Sequence, residues 1–150
     1  MRTLRSAEEI KAAAGEILGT SEWLTVEQDR IDRFAEATGD HQWIHVEPSR
    51  AAGGPFGATI AHGYLTLSLI PQFGWQIFTV EGARMAVNYG LNKVRFVNPV
   101  RVGSRLRSTA QLTEVSEPAG GVQMTITHTI ELEGADKPAC IAETISRIYF

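Results

Sequence analysis

The sequence predicts an α+β fold, one domain over residues 1–150, with a long antiparallel sheet wrapped around a central buried helix. Three observations carry this. Helix-start signatures occupy the first third of the chain, period-2 segments fill its last half, and between them lies a segment that is apolar on nearly every side.

In chain order, Ser6-Ala-Glu-Glu9 reads as a capping box ahead of Ile10, Ala13, Ala14 and Ile17, with Gly19 as the expected stop. Thr25-Val-Glu-Gln28 offers a second box, followed by Ile31, Phe34 and Ala35 on one helical face and Gly39 at the C-terminal end. A loop then runs from Asp40 to about Ile60, with Pro48, Gly53, Gly54, Pro55 and Gly57 inside it. Loops this long are uncommon in compact domains and are usually functional. The segment from His62 to Ile70, continuing through Pro71 to Phe78, has apolar residues all round and predicts a helix buried on most sides. Pro71 cannot donate a backbone hydrogen bond, so the helix should kink or restart there.

After Gly82 the period changes to two. Met85, Val87, Tyr89 and Leu91 are in one phase and Val94 and Phe96 in the other, so Arg84 to Val97 is a strand with a bulge next to Gly90. Ser104 to Val115 alternates, with Leu106, Ala110 and Leu112 opposing Arg105, Arg107, Thr109 and Gln111. Val122 to Leu132 is the clearest strand, its even positions Val122, Met124, Ile126, His128, Ile130 and Leu132 facing a core. Ala139 to Tyr149 is the last strand, and Asn98-Pro99 and Ser116 to Gly121 supply turns.

Composition excludes several classes. A chain of 150 residues fits one domain that buries roughly two-thirds of its surface on folding. The lone Cys140 rules out an internal disulfide framework and fits a small buried hydrophobe in a reducing compartment. The acid-bearing N-terminal segment lacks a signal-peptide core, and no stretch approaches the ~20 apolar residues of a membrane span. A net charge of −3 argues against a general nucleic-acid binder. The expectation is a cytoplasmic protein with neither membrane nor nucleic-acid partners.

Two short segments bear chemistry. Asp40 follows the helix-ending Gly39, and His45 comes five residues later. A carboxylate and an imidazole so placed can share one water, the first orienting it and the second exchanging its proton. On spacing alone, the commoner outcome is a turn-capping Asp40 and a surface His45. Ile60-Ala61-His62-Gly63-Tyr64 opens the buried helix, where free N–H groups suit a developing oxyanion and Gly63 allows close approach; a merely tight helix entry fits equally. Between Gly82 and Thr113 there is no acid, but Arg84, Lys93, Arg95, Arg101, Arg105 and Arg107 are present, which fits either a phosphorylated carrier or a solvated strand face. His41 and His45 lack a third ligand, so no metal is expected, and His128 reads as a hydrogen-bonded core histidine.

Together these segments resemble the MaoC-like branch of the hot-dog superfamily, which includes (R)-specific enoyl-CoA hydratases and nodulation-protein-N-like proteins. Phe34, Gly39, Asp40, Ile44, His45 and Ala51 match the hydratase pattern, with Gln42-Trp43 where the pattern has Asn-Pro. Ala61-His62-Gly63 matches the start of the central helix, and Arg95 to Val100 with Gly103 resembles the strand and turn that follow. The resemblance spans about residues 20–150. It implies a hot-dog fold, Asp40 and His45 as the acid/base pair, and the Gly63 amide in an oxyanion hole. Gln42, His62 and Tyr64 would position water or substrate, and Lys93, Arg95 and Arg101 would contact CoA phosphates. The implied protein is a homodimer with sites near its interface, acting in fatty acid metabolism. It would need no cofactor, the CoA thioester being substrate. The implied reaction is (R)-specific hydration of trans-2-enoyl-CoA to (R)-3-hydroxyacyl-CoA. A 3-hydroxyacyl-carrier-protein dehydratase and a non-catalytic acyl-CoA-binding module are the alternatives.

Overall fold

In the computed structural model, which describes residues 1–150, the Ser6 hydroxyl accepts the Glu9 N–H at 3.2 Å and opens α1 (Ala7–Ala12). The reciprocal half of the box is displaced by one residue, since the Glu9 carboxylate accepts from the N–H of Arg5 at 2.8 Å. The helix ends well before Gly19. Gly15 turns the chain at φ +90°, and Ile17–Thr20 becomes strand β2, with Leu18 buried and Ile17 exposed. Tertiary pairing with the later strand β6 (Arg105–Ser116) thus overrides the apolar spacing that continued the helical pattern.

The same strand corrects the second helix. Leu24–Thr25 (β3) pairs with Leu106 and Arg105, so Thr25 is not a cap, and α2 spans Gln28–Thr38 with Glu27 before it. Its far end is as expected: Gly39 is left-handed at φ +80° and donates its N–H to the Ala35 carbonyl. The long loop is not structureless, for it contains two short helices, α3 (Trp43–Val46) and α4 (Pro48–Ala52).

The apolar helix is two pieces, α5 (Gly63–Ser68) and α6 (Ile70–Ile77), broken at Leu69 with Pro71 in the first turn of α6. Leu65, Thr66, Leu69, Ile70, Phe73 and Ile77 are buried. Tyr64 and Trp75 are 71% and 73% exposed, so within one chain this helix is covered on one side, not most sides.

That cover is a six-stranded antiparallel sheet in the order β2-β6-β7-β8-β5, with β3 also beside β6. Here β5 is Met85–Phe96, β7 is Val122–Leu132 and β8 is Cys140–Tyr149. A register shift between Asn88 and Gly90 is the expected bulge, and a second lies between Leu91 and Val94. On β7 the even residues from Val122 to Ile130 are buried on the core face as their alternation predicts. A separate parallel pair joins β1 (Arg2–Leu4) to β4 (Phe78–Val80), tying the chain start to the end of α6. No helix is long and apolar enough to cross a membrane.

Two arginines of the basic stretch are accounted for by the sheet. Arg105 and Arg107 pair with Glu133 and Glu131, and both guanidinium groups lie over Trp23. Cys140 is buried and free, and burial pushes its thiol up to about 11.

His128 faces the core and hydrogen-bonds the Ser108 hydroxyl through Nδ1 at 3.1 Å. Burial pushes its pKa down to about 4. The unfolded chain therefore binds a proton in the window from about 6.5 to about 4 that the native state refuses, so stability falls as pH drops through that window. Urea titrations should show unfolding free energy declining from pH 6.5 to 4, with a shallower decline in His128→Asn.

Candidate functional site

Three segments converge where α2 ends. Gly39 reverses the chain and sets Asp40 in the open, where its Oδ1 accepts the Gln42 N–H at 3.3 Å and shapes a turn into α3. That turn places His45 in the single turn of α3, 6% exposed and facing the strand-like segment 59–61. The segment is itself fixed: Ile60 donates to the Ile44 carbonyl at 3.0 Å, Ala61 to Val100 at 2.7 Å, and Ile60 bridges Arg101. It leads into His62 and the first turn of α5.

Backbone carbonyls, which only accept, decide the tautomers. His45 Nδ1 lies 2.7 Å from the Ile60 carbonyl and must carry the proton, leaving Nε2 as an acceptor. His62 Nε2 lies 2.9 Å from the Asp40 carbonyl and must also donate, leaving Nδ1 as an acceptor that is buried with no protein partner. The two rings stack, centroids 3.8 Å apart, and Phe34 is tilted against His62.

One polar atom each of Asp40, His45 and His62 lies within 4.8 Å of the others. This corrects the reading that no carboxylate–histidine set closes, because His62 arrives from a distant segment that spacing along the chain cannot reveal. The rings are stacked with their planes 23° apart, and each keeps one ring nitrogen as an acceptor for a hydrogen-bond donor such as water. Burial lowers the His45 pKa; the bond to Ile60 raises it, the neighbouring His62 lowers it and Asp40 raises it again, and burial prevails. A neutral imidazole with a free Nε2 beside a carboxylate can take a proton from water and return it.

Gly63 is the first residue of α5, and no side chain caps that helix. Its N–H therefore has no partner within the helix. A Cβ at Gly63 would meet the Phe96 ring at 2.9 Å, so glycine is required there by Phe96 as well as by any incoming carbonyl. Tyr64 is exposed and stands edge-on to Phe96. Gln42 is exposed at the N-terminal end of α3. Trp43 lies under the Arg50 guanidinium and against Gly54, contacts that hold the turn where the related pattern has proline. Lys93, Arg95 and Arg101 are exposed on β5 and the turn after it.

An apolar cavity of about 690 Å³ begins one turn beyond Gly63, between α5–α6 and strands β5, β7 and β8. Its lining includes Leu67, Ile70, Trp75, Tyr89, Ile126 and His128. Leu65, two residues after Gly63, is packed in the core.

Comparison with known proteins adds kinship. A family model described as MaoC like domain matches residues 9–133. The chain is 56% identical over 148 residues to 3-hydroxyacyl-thioester dehydratase Z of Mycobacterium tuberculosis, covering 98% of each. It is 44% identical to Nodulation protein N of Rhizobium leguminosarum, over 97% of this chain and 92% of the relative. Among solved structures, an (R)-hydratase from A. caviae involved in PHA biosynthesis superposes with a TM-score of 0.71 at 23% identity, over 87% of this chain and 95% of that one.

The charge environment of His45 can be read directly. In a proton NMR titration its imidazole should have a pKa below the usual value of about 6.5, and Asp40→Asn should lower it further by removing the one nearby negative charge. A wild-type value above that reference would contradict the site described here.

Proposed function

The chain belongs to the MaoC-like dehydratase family of hot-dog hydro-lyases, and from that premise we propose that it interconverts trans-2-enoyl-CoA and (R)-3-hydroxyacyl-CoA through Asp40 and His45. The observation that carries this reading is the cluster of Asp40, His45 and His62 beside the N-terminus of α5, in which His45 Nε2 is left as an acceptor. In the hydration direction the thioester carbonyl rests against the Gly63 N–H, which stabilises the enolate oxygen as C3 is attacked. Asp40 and His45 Nε2 hold a water over C3; one takes its proton as the C3–O bond forms, and a proton is returned to C2. Gln42 helps orient that water, and His62 Nδ1 is a further acceptor for it. Dehydration is the same path reversed.

The acyl chain lies in the cavity that starts at Leu67, whose volume of about 690 Å³ falls in the ordinary range for small-molecule pockets. Tyr64 stands at its approach, and Lys93, Arg95 and Arg101 face the CoA phosphates. No metal or cofactor takes part. The relative named 3-hydroxyacyl-thioester dehydratase, at 56% identity, favours a second reading in which the physiological direction is dehydration, on a CoA or carrier-protein thioester.

The working assembly is a homodimer. Strand β5 forms a sheet edge twelve residues long, and Met85, Val87, Tyr89 and Leu91 on it are 40–57% exposed. An open apolar edge is a template for another strand, and a second copy of the same edge covers it with matching chemistry.

In an assay of crotonyl-CoA absorbance, Asp40→Asn and His45→Gln should each lower turnover by roughly 10²–10⁴ with the fold intact; near-normal hydration by both would overturn the assignment. Parallel assays with CoA and carrier-protein thioesters separate the two readings. By sedimentation the wild-type chain should run at twice its 16.4 kDa monomer mass, and Val87→Asp with Leu91→Asp should shift it to monomer.

A further inference from the structure

We propose that Gln28, the first residue of α2, is a positioning residue for His45, acting with Thr59 as a clamp across the site. The proposal rests on the assignment of His45 to the acid/base pair.

Gln28 lies outside the segments that carry the family resemblance to the site, yet its amide reaches into it. Its Nε2 donates to the backbone carbonyl of His45 at 2.8 Å and to Asp32 Oδ1 at 2.9 Å, and its Oε1 accepts from the Thr59 hydroxyl. The amide can sit only one way round. Turned over, its oxygen would face two acceptors, the His45 carbonyl and the Asp32 carboxylate, with no proton between them.

The His45 carbonyl needs this donor. α3 is a single turn whose C-cap N–H, that of Glu47, goes to the Trp43 carbonyl, so no later helical N–H serves the His45 carbonyl, and His45 is buried from water. A helix of one turn has little stability of its own and keeps its shape only through such outside bonds. Thr59 is 1% exposed, and its carbonyl is held by the Val102 N–H at 2.9 Å, so the hydroxyl that orients Gln28 is itself fixed. The next residue, Ile60, accepts the His45 Nδ1 proton. His45 is thus gripped twice by adjacent residues, through its ring by Ile60 and through its backbone by Thr59 acting via Gln28. Releasing the second grip lets α3 rotate about the first and moves Nε2 relative to Asp40.

The test compares Gln28→Ala and Gln28→Glu, with His45→Gln in parallel, using crotonyl-CoA kinetics, circular dichroism and NMR titration of His45. Glutamate matches glutamine in size and still accepts from Thr59, but it cannot donate to the His45 carbonyl and stands beside Asp32. Both Gln28 variants should therefore lose about 10–100-fold in kcat, a loss typical of a small misplacement, with KM within about twofold. The His45 titration should move up toward the ordinary imidazole value as the loosened turn admits water. Wild-type kcat in both variants while His45→Gln is inactive would overturn the clamp and leave the catalytic assignment standing. Unchanged activity in His45→Gln would overturn the assignment and the clamp together. A rise in KM at constant kcat, or loss of folded circular dichroism in both Gln28 variants, would also overturn the positioning role.

Discussion

The geometry around the site depends on one hydrogen bond, from His45 Nδ1 to the Ile60 carbonyl. It fixes the ring's tautomer, brings α3 against the segment before α5, and so sets His45 on His62. Both bonded atoms lie away from water, where a lost partner costs more than in solvent. The bond is local to the site, but its anchor is not: Ile60 is held through Ile44 and Arg101, and Thr59 through Val102, so the lead-in to strand β6 carries it.

The sheet that anchors the site was largely legible from alternation. The three long strands after Gly82 and the last one fall within a residue or so of their expected bounds. Strands β6 and β7 each have one wet and one dry face that a one-residue slip would exchange, whereas β5 is exposed along nearly its whole length and owes its visibility to its period-2 apolar pattern alone. The short strands were not legible. Ile17–Thr20 and Leu24–Thr25 carry no alternation of their own and are strands only because β6 offers an edge. Apolar spacing after Ser6 indicated a longer helix, and pairing across the chain outweighed it.

For the candidate site, the residues visible in sequence were those tied to a helix end: Asp40 after Gly39, and His62-Gly63 at the start of α5. Their meeting was not visible, since nothing in the chain order says that His62 stacks on His45. Gln28 and Thr59 were also hidden. A glutamine opening a helix and a threonine in a loop are ordinary surface residues until the fold makes one the donor and the other its guide. Phe96 is a similar case, an exposed strand residue whose ring explains why Gly63 has no side chain.

The three acceptors of Asp40, His45 and His62 also sort molecules by charge. A carboxylate brings only lone pairs and a negative charge, and it meets three more acceptors, one of them charged. A neutral thioester with its attendant water brings protons to the same groups. Under the proposed reaction the cluster is thus better matched to a neutral thioester with its water than to a free carboxylate.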